Sequence, residues 1–342
     1  MNEIKLKEYA RGSGCGCKID ANKLREILIN CKSNTTDSLL LGFETSDDAA
    51  VFKLNNDLLL ITTTDFFSPI VDDAFTFGKI AAINALSDIY AMGATPIFAL
   101  AILGFPVDKL PLSVANSIML GAKNSCDSVH IQIAGGHTID SAEPFFGLVV
   151  NGTCLNENLK RNNTATPGDI LYLTKKIGTG IINAAHNAKQ CAENDYQQAV
   201  ESMLRINTLG QLLSKHKEVT AMTDVTGFGV LGHVLEMANQ SSIELYYDKI
   251  KWLPNAKEYA AKMFVPSATY RNWNSVSEYV NNLNAEQLLM LCDPQTSGGL
   301  LIAVAPSYKN TFEQLLIDNN LAEHTTPIGK IIPEVEKKII VL

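Results

Sequence analysis

Between Leu58 and Cys154, short apolar runs alternate with longer segments whose apolar positions recur at helical spacing. The pattern predicts strands at Leu58–Thr64, Ile97–Leu103, Val129–Ala134 and Phe145–Cys154, with helices at Phe77–Met92 and Leu112–Ser125. A weakly helical stretch from Ala21 to Cys31 and a polar loop from Lys32 to Asp37 precede them. The segment Asn156–Gly168, rich in Asn, Thr, Lys, Pro and Gly, reads as a linker. Beyond it the pattern predicts a strand at Ile170–Thr174, helices at Gly180–Ala188 and Gln197–Ser214, a strand ending at Met222, a helix at Gly229–Asn239 and a strand at Ile243–Tyr247. A strand–helix–strand run from Leu300 to Leu342 closes the chain. Mixed strands and helices on both sides of a linker make this an α/β (α+β type) chain. Its expected parts are an arm over 1–20, one domain over 21–155 and a second over 156–342.

The 342 residues are 46% hydrophobic, ample for two cores. The longest apolar run, Ile97 to Leu103, is far short of the roughly 20 residues that span a bilayer. Glu3, Lys5, Lys7 and Glu8 interrupt any secretory apolar stretch, so a cytoplasmic, membrane-free protein is expected. An odd number of cysteines, seven, spread over such a length does not form a disulfide framework. The net charge of −8, with no cluster of basic residues, argues against a nucleic-acid partner; an anionic ligand would need metal ions to mediate.

Carboxylates stand where apolar runs stop. Asp65 follows Leu58–Thr64, Asp224 follows Val219–Thr223, and Asp47 and Asp48 precede Ala49–Phe52. Asp88 lies within the apolar helical run Ile80–Met92 and shares a face with Asn84, four residues back. A charge on so apolar a helix must be paired or bind a cation, because burying it alone costs several kcal/mol. Oxygen ligands without a companion His or Cys cluster suit a hard ion such as Mg²⁺. Taken singly, Asp65 or Asp224 could equally cap a turn or helix, and Asp47 could be a solvated loop charge; recurrence at four places carries the metal reading.

Near the start, Gly12-Ser13-Gly14-Cys15-Gly16-Cys17-Lys18 crowds two thiols and an ammonium into a glycine-framed run, which reads as a flexible reactive arm. Lys18 should favour the thiolate that nucleophilic or chalcogen-transfer chemistry requires. A zinc site is disfavoured because no second Cys/His pair accompanies the thiols. Gly135-Gly136-His137-Thr138, after Ile131–Ala134, reads as a turn whose N–H groups could nest an anion, or as a plain tight turn. His233, on the apolar stretch Val230–Met237, reads as a packed or hydrogen-bonded core histidine. No G-x-x-x-x-G-K-[ST] run occurs, which excludes a Walker loop. Gly227-Phe228-Gly229-Val230-Leu231-Gly232 matches a dinucleotide fingerprint, but Asp224 would put a carboxylate beside the pyrophosphate.

Taken together, Gly14–Lys18, Thr45–Val51, Thr63–Phe67, Asn84–Gly93, Ala134–Asp140, Thr223–Gly229 and Asp293–Gly299 resemble the selenophosphate synthetases along essentially the whole chain. The cysteine-bearing arm separates that family from related ATP-dependent synthetases. The resemblance implies a two-domain fold of the aminoimidazole ribonucleotide synthetase type, with first domains pairing in a homodimer. It implies conversion of ATP, selenide and water into selenophosphate, AMP and phosphate, for selenoprotein or seleno-tRNA synthesis. The selenium would come as selenide or from a delivery protein. By matching position, it implies Cys15 as the active thiol, with Lys18 at the ATP phosphates or the selenium species. Asp48, Asp88 and Asp224 would hold Mg²⁺, with a need for a monovalent cation left open. Thr45, Ser46, Asp47, Asp65, Asp88, Gly136, His137 and Thr138 would line the nucleotide site. Two departures, Lys176 where the family tends to have Pro and Ser267-Ala268 in place of a glycine pair, fall outside these residues. Competing readings are a related ATP-dependent enzyme acting on another small metabolite, a selenium or metal carrier without turnover, and a nicotinamide oxidoreductase.

Overall fold

A computed structural model describes residues 4–10, 12–19, 21–29, 31, 37–42 and 47–342. After a short helix α1 (Ala21–Leu28), the first half supplies β1 (Leu39–Leu41), β2 (Ala50–Lys53), β3 (Leu58–Phe67), α2 (Ala74–Ala91), β4 (Thr95–Phe105), α3 (Leu112–Ser128), β5 (Gln132–Asp140) and β6 (Phe145–Leu155). Among the described residues these strands form one six-stranded sheet in the order β1-β2-β3-β6-β4-β5, antiparallel except for the β4–β5 pair.

The second half supplies β7 (Ile170–Leu173), α4 (Thr179–Asn187), α5 (Glu193–Met203), α6 (Leu209–Leu213), β8 (Val219–Asp224), α7 (Gly229–Ala238) and β9 (Ser242–Leu245). It continues through α8 (Ala256–Ala261), α9 (Ser267–Val276), α10 (Ala285–Leu291), β10 (Leu300–Val304), α11 (Lys309–Asp318), β11 (Gly329–Ile332) and β12 (Ile339–Val341). Its sheet runs β12-β9-β11-β7-β10-β8, antiparallel except for β9–β12.

Helix α2 positions the site. Asp73 caps its start by accepting from the Thr76 N–H at 2.7 Å. The helix is buried almost all round, because α3 and the first sheet cover it on one side and β8 and α6 of the second half meet it on another. A polar side chain on α2 therefore finds its partners inside the protein.

The fold corrects two local expectations. The predicted helix Gln197–Ser214 is broken into α5 and α6, since the residues between are used otherwise: Asn207 donates to Ser87 Oγ and Gly298 O, and Lys175 donates to Arg205 O. The predicted turn at Gly135–Thr138 lies inside β5, where Gly135, Gly136, His137 and Thr138 pair with Leu100, Ala101, Ile102 and Leu103 of β4 after a register shift. The parallel neighbour gives those peptide groups ladder partners, which an open anion nest would have left free.

Candidate active site

Two periodicities meet at the face of α2. Strand β3 turns alternate residues Leu59, Ile61, Thr63, Asp65 and Phe67 inward, and α2 repeats its face every three to four residues. Running in opposite senses, they pair Thr63 with Asp88 (Oγ1 donating to Oδ2 at 2.5 Å) and Asp65 with Asn84 (Nδ2 donating to Oδ2 at 2.6 Å). Asp224 arrives at the end of β8, and Asp48 from the loop before β2, its Oδ1 accepting from Thr223 Oγ1 at 2.7 Å. The result is a cluster in which oxygens of Asp48, Asp88 and Asp224 all lie within 4.8 Å of one another.

Asp48 Oδ2 and Asp224 Oδ2 are buried with no hydrogen-bond partner. Burial pushes the carboxyl groups of Asp48, Asp88 and Asp224 above the usual carboxylate range; for the first two the charge of Asp224 adds to the effect. Buried anions with free lone pairs facing one another are what a divalent cation would satisfy, and an all-oxygen donor set suits Mg²⁺. The cluster opens into a cleft of about 330 Å³ that Lys18, Asp47, Asp65, Phe228 and His233 also line.

The arm closes the other side. Cys15, fully buried, directs Sγ at Asn84 Oδ1 (3.3 Å), and its N–H donates to Thr296 Oγ1 (3.2 Å). Asn84 Oδ1 also accepts the Ser297 N–H at 2.8 Å, so this one amide joins the thiol, Asp65 and the Thr296-Ser297 loop of the second half. Lys18 Nζ meets Asp65 Oδ2 at 3.2 Å. Burial would lower the Lys18 ammonium, but Asp65, Cys15 and Asp88 outweigh it and hold the charge on.

The thiol behaves contrary to expectation. Burial first, then the charge of Asp65, raises Cys15 well above its ordinary value, and Lys18 offsets only part of that. The docked arm therefore stores a protonated thiol, and the expectation of a thiolate promoted by Lys18 is corrected for this conformation. The arm itself is seated, with a helical turn over Gly14–Cys17.

Other sequence candidates fall in different places. Asp47 lines the cleft, but its carboxylate accepts the Asn162 N–H (3.1 Å) and pairs with Arg161 (3.6 Å), tying it to the segment between the halves. Thr45 and Ser46 lie outside the described residues. Gly136, His137 and Thr138 are not brought to the aspartates: they sit exposed on edge strand β5, and register puts His137 beside Ile102 on the sheet face opposite α2. His233 is a hydrogen-bonded core residue, as expected; its Nε2 accepts the Thr226 N–H at 3.0 Å and Nδ1 faces Glu236 at 3.1 Å. With the arm docked, the space beside Gly227 is not open to a dinucleotide: a Cβ there would stand 2.7 Å from Cys15 O.

Sequence reasoning gave Asn84 no role beyond sharing a face with Asp88, and it assigned none to Thr296 or Ser297. The available signal was the run Asp293-Pro294-Gln295-Thr296-Ser297, separated from the apolar β10 only by Gly298-Gly299; Asp293, Gln295, Thr296 and Ser297 are all buried.

The AIR synthase related protein N-terminal domain matches residues 46–155, and the corresponding C-terminal domain matches 166–342. The selenide, water dikinase of Shewanella baltica strain OS155 is 50% identical over 328 residues, covering 95% of this chain and 92% of the relative. The chain belongs to the selenide, water dikinase family. A second member, from Shewanella sp. strain MR-4, is 50% identical over 89% of the chain and 87% of the relative. The two-domain fold recurs in thiamine-monophosphate kinase from Stenotrophomonas maltophilia K279a (TM-score 0.66, 19% identity, 94% of each chain). It recurs also in hydrogenase maturation protein HypE in complex with ATP (TM-score 0.66, 14% identity, 99% of this chain and 94% of that one). At such low identity those structures bear on the fold alone. The carrier and oxidoreductase readings thereby lose their support.

Proposed function

We propose that this dikinase family member converts ATP, selenide and water into selenophosphate, AMP and phosphate at the junction between its two halves. The observation that carries the reading is the convergence of a buried cysteine on a glycine-framed arm with a three-carboxylate cluster, bridged through Asn84 and Asp65. Asp48, Asp88 and Asp224 would hold Mg²⁺, which when bound offsets phosphate charge during phosphoryl transfer. Lys18, its charge secured by Asp65, faces the cleft as a fixed cation for phosphate oxygens. The arm excludes water from one side, and lifting it would bring the Cys15 thiol from a protonated store to a more solvated setting.

A homodimer belongs to the same reading. Among the described residues the first sheet leaves the face opposite α2 uncovered, with Phe52, Phe66 and Ile139 between 42% and 49% exposed. Pairing of two such faces would cover them, and it would carry Gly136, His137 and Thr138 toward the partner's nucleotide. Free thiol chemistry at Cys15 suits a reducing, cytoplasmic setting. Among the described residues no helix is long and apolar enough to cross a membrane.

The test is nucleotide product analysis with Mg²⁺-ATP, with and without selenide under anaerobic reducing conditions, for the parent and Cys15→Ala. Selenide-dependent AMP and a selenium-bound phosphorus species, both lost in the variant, are the expected result. ATP turnover indifferent to selenide and to Cys15 would move the activity to another substrate on the same fold.

A further inference from the structure

On the side of the arm away from the carboxylates lies a second cleft, of about 610 Å³, walled by the arm's Ser13 and Gly16 and by Asn183, Ser267 and Arg271 of the second half. Two side chains reach across it to the arm. Arg271 Nη2 donates to Gly16 O at 2.8 Å, and Asn183 Nδ2 donates to Ser13 Oγ at 3.0 Å. The other ties nearby are neutral: Gly14 N–H to Ser68 O, Ser13 Oγ to Pro69 O, and Cys15 N–H to Thr296 Oγ1. Arg271 makes one further hydrogen bond, a 3.3 Å contact with Ser267 Oγ, and no carboxylate lies within ion-pair distance of it among the described residues.

The seat beneath the arm is specific. Gly14 adopts φ +57°, and a Cβ there would collide with Thr296 Oγ1 and Ile70, so the bend that buries Cys15 accepts only glycine. With the thiol fully buried, neither solvent nor substrate meets it until the arm lifts. Lifting breaks the bond between Arg271 and Gly16, a charge-assisted bond that holds the arm to the second half as the Lys18–Asp65 pair holds it to the first. Its donor stands on α9, a helix of the second half, whereas the thiol faces Asn84 of the first.

We infer that Arg271 is a positioning residue that latches the arm shut over Cys15, so that release of the Gly16 carbonyl by the guanidinium sets how often the thiol is exposed. The inference rests on the reading of Cys15 as the active thiol, but its test reads thiol exposure without turnover.

The test is the rate of iodoacetamide modification at Cys15, followed by peptide mass spectrometry in a Cys17→Ser background without nucleotide. Buried Cys126 serves as an internal reporter of global opening. Arg271→Met should raise the Cys15 rate at least tenfold with Cys126 unchanged, and Arg271→Lys, which keeps a charged donor, should restore part of the protection. Arg271→Gln, shorter and uncharged but still a donor, should give at least a threefold rise and serves if the methionine variant does not fold. Turnover number should fall in Arg271→Met while the KM for ATP moves less than threefold. An unchanged Cys15 rate in both uncharged variants, or a parallel rise at Cys15 and Cys126, overturns the latch. If product analysis shows no selenide-dependent AMP while the Arg271 variants still expose Cys15, the functional reading falls and the latch stands.

Discussion

Replacing Asp88 by Asn should destroy catalysis yet stabilise the metal-free protein. Oxygens of Asp48, Asp88 and Asp224 lie within 4.8 Å of one another. Two unit charges at that separation repel by about 3.5 kcal/mol at an effective dielectric constant near 20, so Asp88 ionised alongside both neighbours adds about 7 kcal/mol. The protein avoids most of this by holding protons, as the raised carboxyl values of all three show. What remains near neutrality still disfavours the ionised Asp88, because burial and the neighbouring charges of Asp224 and Asp65 raise its carboxyl above the ordinary range. Asn keeps an oxygen for the Thr63 hydroxyl and removes the charge, so the apo variant should melt a few degrees above the parent at about pH 7.5. Mg²⁺ reverses the order: it should raise the parent's melting temperature by linkage and leave the variant's nearly unmoved. The assay is differential scanning calorimetry of both proteins after chelation and again with Mg²⁺. An apo variant less stable than the parent, combined with an undiminished Mg²⁺ response, would refute the reasoning, because the cluster would then be neither repulsive nor a cation site.

Three further outcomes follow from the geometry. Gly227→Ala would put a methyl 2.7 Å from Cys15 O and 3.3 Å from Lys18 Cδ, so it should unseat the arm, speed thiol modification and cut turnover at least tenfold with little loss of melting temperature. Lys175 is buried, and burial lowers its ammonium to about 7 against an ordinary 10.5; the unfolded chain thus binds the extra proton between those values, and stability from this residue rises with pH, by at most ~1.4 kcal/mol for each step of one in pH. Denaturant titrations from pH 7 to 8.5 should show the parent gaining more stability than Lys175→Met, and equal slopes would reject the assignment. Phe66→Lys on the uncovered sheet face should shift the protein toward monomer in sedimentation analysis and lower turnover, while a monomeric parent would remove the dimer from the reading.

The strands and helices that position the site were legible wherever one pattern governed the residues. Helix α2 is largely apolar, and Asp88 stood out because it is the one carboxylate within the apolar run Ile80–Met92, with Asn84 on the same face. The carboxylate cluster was legible for the same reason: its members stand at or within apolar runs, and the structure brings Asp48, Asp88 and Asp224 together across both halves. Two other features depended on distances no local pattern encodes. Gly135–Thr138 has the composition of a turn, yet the parallel ladder to β4 makes it strand, since pairing with a segment some 35 residues earlier outweighs local glycine preference. The thiol's protonation was misjudged because Lys18 adjoins it in sequence, whereas Asp65 and the burial that dominate it come from folding.

Such misjudgement follows from how the site is built. Cys15 in isolation beside Lys18 would be a better nucleophile than Cys15 docked against Asn84 and Asp65, so the fold holds its reactive group in a less reactive form. Reactivity then becomes a property of the arm's position as well as of the residues on it. A thiol that is protonated when closed and freed when open couples the chemistry to a movement held by Arg271, Asn183 and Thr296 on one side and by Ser68, Pro69 and Asp65 on the other. The first three of those restraints lie in the second half of the chain and the others in the first, as do two of the three clustered carboxylates. Both halves are therefore needed to hold the thiol and the carboxylate cluster at one junction, and a shift of one half against the other would change the thiol and the cluster together.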